Sequence, residues 1–118
     1  MSIAKIYHNP RCSKSRATLA LLEDLHTNIE VIKYLETPPK PDEIKRLLKA
    51  LKLSVRDILR SNEADYRECG FSNPELTEQD LINLLNKHPK VMERPIVSYQ
   101  GHAVIGRPPE NVKELFND

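Results

Sequence analysis

Cysteine is scarce in this sequence of 118 residues, which contains only Cys12 and Cys69. The two lie far apart, and neither belongs to a CxxC pair. This excludes the cysteine pattern of a small disulfide-rich domain and the usual ligand pattern of a zinc site. We therefore expect one reactive thiol and no bound metal.

The sequence also lacks a long apolar run and a dominant charge. No segment reaches the roughly 18 consecutive apolar residues of a membrane span, and the first residues lack the apolar stretch of a secretory signal. The 18 basic and 17 acidic residues nearly cancel, which argues against nucleic acid or an anionic membrane as a partner. We expect a soluble cytoplasmic monomer. Any anion-binding site must then be formed by a local group of basic residues rather than by the overall charge.

Hydrophobic spacing in the first third of the chain predicts a strand, a helix and a second strand. A short apolar run ends at His8, helical spacing begins at Ser13, and a β-branched and aromatic stretch runs from Ile29 to Leu35. This order predicts a βαβ unit with parallel strands.

The middle of the chain, about residues 41–88, has the spacing of helices. Ser54 and Thr77 each precede an aspartate by three residues, which predicts two capping boxes. The helix that follows Ser54 is expected to be short, with Arg60 at its end.

The last third predicts two strands and a helix. Residues 94–99 and 102–105 are apolar stretches around Gln100 and Gly101, a typical hairpin signal. Pro108 and Pro109 then open a last helix. We predict a single α/β domain over residues 1–118, with a small mixed four-stranded sheet and an inserted helical segment.

Cys12 follows the first strand and directly precedes a helix, with Arg11, Lys14 and Arg16 nearby. A helix N-terminus and neighbouring cations favour a thiolate over a thiol, so Cys12 is the candidate nucleophile. The alternative is that Cys12 is a small buried side chain and the basic residues are solvated. Cys69 lacks such a cationic cluster, and we expect it to be inert.

The residues after Cys12 exclude two other thiol chemistries. A cysteine-based phosphatase loop needs an arginine six positions after the cysteine, whereas Arg16 comes at four. A disulfide oxidoreductase needs a second cysteine at the position of Ser15. Any resolving thiol must therefore come from another molecule.

Five blocks in order along nearly the whole chain resemble the glutaredoxin-dependent arsenate reductase family. The blocks are Tyr7–Cys12, Tyr34–Pro38, Val55–Arg60, Arg94–Val97 and Gly106–Pro109. This resemblance implies a thioredoxin-like fold with a helical insertion. It also implies a cis peptide bond before Pro95, beside the reactive cysteine.

The mechanism implied by the resemblance starts at Cys12. The thiolate attacks arsenate to give a thioarsenate, glutathione attacks that adduct, and glutaredoxin completes the reduction to arsenite. No bound cofactor takes part, so the expected partners are arsenate or a related oxyanion, glutathione and glutaredoxin.

The resemblance places the oxyanion-binding arginines at Arg60, Arg94 and Arg107. A guanidinium donates paired hydrogen bonds to a tetrahedral oxyanion, which lysine does not. A single arginine is more often a solvated surface residue, but Arg94 and Arg107 each precede a proline at the edge of a predicted strand, where a side chain can be aimed at a loop.

His8 and Ser15 are supporting candidates. His8 either assists the thiolate or only ends the strand, and Ser15 either donates to the sulfur or only caps the helix backbone.

Two other functions remain open for the same fold. One is a glutathione-linked thiol transferase that does not act on arsenate, and the other is a redox-responsive regulatory binding protein. Ser13 and Lys14 stand where family members commonly carry Gly-Thr, and the added charge favours a different oxyanion or an acidic thiol partner.

Overall fold

The chain forms two compact units in the computed structural model, which describes residues 3–25 and 28–116. The first unit combines the segment up to Thr37 with the segment from Arg94 onward, and the second unit runs from Pro38 to Glu93. The second unit thus interrupts the first in sequence. The assignment of residues 1–118 to a single domain stays a prediction.

A four-stranded mixed sheet organises the first unit. The strand order is β2-β1-β3-β4; β1 pairs in parallel with β2, and β3 pairs antiparallel with both β1 and β4. Helix α1 connects the parallel pair, as predicted for a βαβ unit. The bounds are β1 Ala4–Tyr7, α1 Ser13–Leu25, β2 Ile29–Ile32, β3 Ile96–Tyr99 and β4 His102–Ile105. These elements confirm the predicted α/β class and mixed sheet.

The hairpin between β3 and β4 turns at Gln100 and Gly101. Both residues have positive φ, 50° and 80°, as a two-residue type I′ turn requires. The flanking residues Tyr99 and His102 pair directly. The predicted hairpin is therefore confirmed.

Fully buried apolar side chains from sheet and helices form the core of the first unit. The core members are Ala4, Ile6, Leu22, Val97 and Val112. At its margin, the rings of Tyr99 and Phe116 are in contact, with centroids 4.7 Å apart.

The predicted last helix exists, but Pro109–Phe116 is a 3₁₀ helix rather than an α-helix. The Asn111 amide donates to the carbonyls of Ile105 and Arg107, at 3.1 and 3.2 Å. Its backbone N–H donates to the Pro108 carbonyl at 3.0 Å, a bond to the third residue back. These bonds tie the start of the segment to the end of β4 with 3₁₀ spacing.

Strand β2 is shorter than predicted and ends at Ile32 rather than Leu35. The Lys33 carbonyl accepts from the N–H groups of Glu36 and Thr37, both at 2.9 Å, so the chain turns there. Tyr34 is almost completely buried in this turn. The apolar signal that predicted a longer strand therefore comes from a buried turn residue.

The second unit is built from helices, as predicted for residues 41–88, but they are not continuous. Turns separate α3 from its neighbours, at residues 60–63 and 69–72. The helices are α2 Pro41–Leu51, α3 Ala64–Glu68 and α4 Glu78–Lys87, with 3₁₀ segments at Val55–Ile58 and Pro89–Val91. Apolar residues on α2 and α4 are buried: Ile44, Leu47, Leu48, Leu81, Ile82 and Leu85.

Both predicted capping boxes form in the second unit. The Asp57 carboxylate accepts from the Ser54 N–H at 3.0 Å. Thr77 and Asp80 cap α4 reciprocally, at 3.0 and 3.1 Å. Each box satisfies N–H groups that have no acceptor within the helix.

Arg60 does not end a helix, and this part of the prediction is wrong. The 3₁₀ segment stops at Ile58, and Leu59 forms an isolated antiparallel bridge with Met92. The Arg60 N–H then donates to the Val91 carbonyl at 2.7 Å. An extended pairing therefore competes with the helix and determines the backbone at Arg60.

Gly106 allows α1 to pack closely against the end of β4. A Cβ at this position would lie 2.6 Å from Thr18 Oγ1 and 2.9 Å from Pro95 Cγ. Thr18 is fully buried, and its hydroxyl lies 3.2 Å from the Gly106 carbonyl. No side chain fits there without displacing the helix or the strand.

Gly106→Ala should therefore destabilise the protein by about 1–3 kcal/mol, the range for forcing a methyl group into a packed site. Urea unfolding measures the change. Gly101→Asn is the comparison and should lose less stability: no atom lies within 4 Å of a Cβ there, so only the positive φ of 80° is unfavourable, and asparagine tolerates it better than most residues. Equal stability of Gly106→Ala and the wild type would contradict the close-packing argument.

Candidate functional site

Most of the predicted site residues lie in segments that meet at one end of the strands. Tyr7 at the end of β1 pairs with Ile96 at the start of β3, and Ile96 pairs with Ile105 at the end of β4. The loop from His8 to Cys12 and the residues Arg94 and Arg107 flank these strand ends. All of them belong to the first unit.

Cys12 is the N-cap residue of α1. Its carbonyl accepts the first helical hydrogen bond, from the Arg16 N–H at 3.0 Å, and its own N–H donates to the Asn9 carbonyl at 3.0 Å. The side chain is half-buried. The thiol therefore lies where the first N–H groups of a 13-residue helix and the positive end of its dipole favour an anion.

Backbone and side-chain hydrogen bonds hold the loop before Cys12 in place. The Asn9 Oδ1 accepts from the Arg11 N–H at 3.0 Å, which is a local turn. Arg16 Nη1 donates to the Pro10 carbonyl at 2.9 Å. Arg16 thus both bonds the loop and adds positive charge beside it.

His8 and Ser15 contact each other. His8 Nδ1 and Ser15 Oγ are 2.6 Å apart, both side chains being buried, and Ser15 Oγ also accepts from the Asn9 N–H at 3.0 Å. This pair links the end of β1 to the first turn of α1 across the cysteine loop. Direct roles of either residue at the sulfur stay predictions.

Burial lowers the pKa of His8 below its ordinary value of 6.5, and the positive charges of Lys33 and Arg16 lower it further. His8 is therefore neutral at neutral pH. A neutral imidazole can accept a proton or donate one, whereas a protonated ring could only donate to Ser15.

Arg94 and Arg107 come together at the start of β3 and the end of β4. Arg107 Nη1 donates to the Arg94 carbonyl at 3.0 Å, and the Gly106 N–H donates to the Pro95 carbonyl at 2.9 Å. Arg94 is half-buried and Arg107 is exposed. Two bonds therefore join the two arginine-bearing segments.

The peptide bond between Arg94 and Pro95 is cis, which confirms the prediction. The bond between Arg107 and Pro108 is also cis, and the sequence analysis did not predict it. Both arginines thus precede a cis proline.

Arg60 belongs to the second unit and forms ion pairs there. Its Nη1 lies 3.2 Å from Glu63 Oε1 and its Nε lies 3.7 Å from Glu93 Oε1, with 15% of the side chain exposed. Its predicted contact with an oxyanion stays a prediction. Neither glutamate was considered in the sequence analysis, although Glu63 follows Arg60 at the spacing of a common ion pair.

The sequence analysis assigned no site role to Asn9, Thr18 or Gly106, although Asn9 and Gly106 lie in two of the five blocks. These residues shape the site through packing and hydrogen bonds. Asparagine before proline is a turn signal that could have indicated Asn9. Nothing local marks Thr18, because its contact with Gly106 joins residues 88 positions apart.

Within the described ranges 3–25 and 28–116, one group of side chains could hold a metal ion: Asp65, Cys69 and His88, in the second unit. Burial raises the pKa of the Cys69 thiol, and the charges of Asp65 and Glu68 raise it further. This environment disfavours a free thiolate at Cys69.

No helix among the described residues has both the length and the apolar character needed to cross a bilayer.

Comparison with known proteins shows likeness along nearly the whole chain. The ArsC family model matches residues 7–115. A protein named arsenate reductase from Neisseria meningitidis serogroup A is 47% identical over 113 residues, which cover 95% of this chain and 97% of that protein. The arsenate reductase of Escherichia coli strain K12 is 40% identical over 118 residues, which cover 100% of this chain and 84% of that protein.

A solved structure shares the fold. The arsenate reductase from Vibrio cholerae superposes with a TM-score of 0.92 at 48% identity, covering 97% of this chain and 98% of that chain. The predicted thioredoxin-like fold is therefore confirmed.

His8→Gln should flatten the pH dependence of stability. Because the folded-state pKa of His8 lies below 6.5, the unfolded chain binds a proton first as the pH falls, so the wild type loses stability below about pH 6.5. Glutamine can still hydrogen-bond Ser15 but cannot take up the proton. The measurement is the free energy of unfolding at several values between about pH 5 and pH 8.

His102→Gln is the matched control, since His102 is exposed at the start of β4. Its pH profile should follow the wild type. A His8→Gln profile as steep as the wild type would show that His8 titrates normally in the folded protein.

Proposed function

Because the chain belongs to the ArsC family, we propose that it is an oxidoreductase that reduces arsenate to arsenite with Cys12 as the nucleophile. The observation that carries this proposal is the position of Cys12. Cys12 caps α1 at the end of the strands where the segments of Arg94 and Arg107 also meet. The proposed nucleophile and the proposed oxyanion donors therefore flank the same strand ends.

The oxyanion is bound first. Arsenate carries negative charge at neutral pH, so the N-terminal end of α1 and the two guanidinium groups attract it. The bond from Arg107 to the Arg94 carbonyl limits the freedom of the Arg107 fork before substrate arrives. Less side-chain entropy is then lost when the fork closes on the anion.

Cys12 then attacks the arsenic atom. A bond forms between sulfur and arsenic, one arsenic–oxygen bond breaks, and the oxygen leaves as water after taking up protons. Arsenic remains pentavalent in this thioarsenate. The helix N–H groups and the arginines stabilise the charge on the remaining oxygens.

Reduction of pentavalent to trivalent arsenic takes two electrons, which two thiols supply as they become a disulfide. Cys12 is the only cysteine in the sequence of the first unit, and Ser15 stands where a nearby resolving cysteine would be needed. We therefore propose that a glutathione thiol attacks the thioarsenate and displaces a second oxygen as water. The glutaredoxin thiol then attacks the glutathione sulfur, so that a glutathione–glutaredoxin disulfide forms, arsenic becomes trivalent, and water releases arsenite from Cys12. The sulfur atoms carry the electrons, so the proposal needs no resident cofactor.

Cys12→Ser should abolish arsenate reduction and leave the fold intact, because a hydroxyl cannot form the sulfur adduct and the position is a half-buried helix cap. Serine is also a good N-cap residue. The assay follows arsenite production by the purified protein with glutathione and glutaredoxin. Circular dichroism checks the fold.

Cys69→Ser is the matched control and should retain turnover. Comparable losses in both variants would reject the single-thiol mechanism. Rapid exchange with mixed disulfides by a wild type that leaves arsenate unchanged would reject arsenate reduction and favour a glutathione-linked thiol transferase.

Loss of Arg94 or Arg107 should reduce arsenate turnover more than loss of Arg60. If each lost charge-assisted contact weakens transition-state binding by about 2–3 kcal/mol, kcat/KM falls roughly 30- to 150-fold. Arg60 already pairs with Glu63 and Glu93, so its loss should have a smaller effect. The measurement is kcat/KM for Arg94→Gln, Arg107→Gln and Arg60→Gln.

Two further variants separate geometry from charge. Arg107→Lys keeps the charge but loses the planar fork, and it should recover only part of the activity. Arg46→Gln removes a charge from an exposed position on α2 and should match the wild type. Equal activity of Arg107→Gln and Arg46→Gln would exclude Arg107 from anion binding.

A further inference from the structure

Three side chains with metal-binding atoms meet in the second unit, apart from the residues assigned to arsenate reduction. Asp65, Cys69 and His88 each offer one ligand atom, and these atoms all lie within 4.8 Å of one another. All three residues are half-buried. The group combines a carboxylate, a thiol and an imidazole.

The local backbone places Asp65, in α3, and Cys69, the residue directly after α3, on the same side of one helical turn. They are four residues apart, and the Cys69 N–H donates to the Asp65 carbonyl at 2.9 Å. Side chains at this spacing lie one above the other on a helix. Two of the three ligand groups are thus arranged by one helical turn.

His88 comes from the end of α4. Its N–H donates to the Leu84 carbonyl at 2.8 Å, and Pro89 then begins a 3₁₀ segment. The edge of its ring meets the buried ring of Phe71 at an interplanar angle of 77°, with centroids 6.2 Å apart. A fully buried neighbour therefore helps to orient the imidazole.

We propose that Asp65, Cys69 and His88 form a binding site for a thiophilic divalent transition-metal ion, of which Zn²⁺ fits best. Magnesium and calcium prefer oxygen ligands only, whereas sulfur and imidazole nitrogen together select zinc and its neighbours. Three protein ligands with a water molecule in the fourth position is a common zinc arrangement. The partial exposure of all three residues leaves access for that water.

The spacing of the ligand atoms fits this ion with a small adjustment. Zinc bonds of about 2.0–2.3 Å in a tetrahedron put ligand atoms about 3.3–3.8 Å apart. Because no two of the ligand atoms are more than 4.8 Å apart, closure by at most about 1.5 Å is needed, which rotation of half-buried side chains can supply.

The charges around the site are mixed. Glu68 adds negative charge beside Cys69, whereas Lys87 and Lys90 flank His88 in the sequence and are exposed. Solvent screens exposed lysines, so the ligand set rather than the local field determines selectivity.

The test uses the reduced full-length protein titrated with Co²⁺, a spectroscopic substitute for Zn²⁺. A cobalt–thiolate charge-transfer band in the near ultraviolet reports sulfur ligation and does not depend on enzyme activity. The band should form in the wild type and in Cys12→Ser, and it should be absent in Cys69→Ser. Zn²⁺ added afterwards should displace Co²⁺ and remove the band.

Asp65→Asn and His88→Gln test the other two ligands. Each should weaken Co²⁺ binding by about 100-fold or more, since loss of even an outer partner of a ligand weakens metal binding by about 10- to 100-fold. His102→Gln is the matched control and should bind as the wild type. Circular dichroism of each variant separates ligand loss from misfolding.

Zn²⁺ should also raise the thermal midpoint of the wild type and not that of Cys69→Ser, because an ion that binds the folded state stabilises it. Three results would overturn the proposal: no band in the wild type at millimolar Co²⁺, a band that depends on Cys12 rather than Cys69, or unchanged affinity in folded Asp65→Asn and His88→Gln.

Discussion

The close approach of α1 to the end of β4 at Gly106 is the contact on which the candidate active site depends. Cys12 caps the start of α1, Arg94 precedes the start of β3, and Arg107 follows the end of β4. Because Gly106 has no side chain, the buried Thr18 hydroxyl lies within 3.2 Å of the Gly106 carbonyl. The end of β4 also lies close to Pro95 for the same reason. A larger residue would move the segment of Cys12 away from the segments of Arg94 and Arg107, since packed interiors transmit such displacements.

The two cysteines show how environment rather than residue type determines thiol chemistry. Cys12 caps a helix among basic residues, so an oxyanion is favoured there. Cys69 lies beside Asp65, Glu68 and an imidazole, where negative charge opposes a free thiolate and a metal cation would satisfy it. The same side chain therefore suits nucleophilic attack in one unit and metal ligation in the other. The expectation that Cys69 is inert considered only its sequence neighbours, among which His88 does not appear.

Predictions from local signals succeeded where the physical cause was itself local. The hairpin at Gln100 and Gly101 and the capping boxes at Ser54 and Thr77 depend on a few adjacent residues, and all of them form. The errors arose where a distant contact overrode the local pattern. The short helix was expected to reach Arg60, but Leu59 pairs with Met92 instead. Strand β2 was expected to reach Leu35, but Tyr34 is buried in a turn.

The family, the mixed α/β architecture and the position of Cys12 between a strand and a helix could all be predicted from the amino-acid sequence, because periodicity, turn residues and the five motif blocks are readable along the chain. Which distant groups meet could be known only from the fold. Four such contacts join residues from different elements: His8 with Ser15, Arg107 with the Arg94 carbonyl, Arg60 with Glu93, and His88 with Cys69. Such contacts follow from packing and strand register, which place separated segments side by side. The residues next to each partner in the sequence therefore do not indicate the contact.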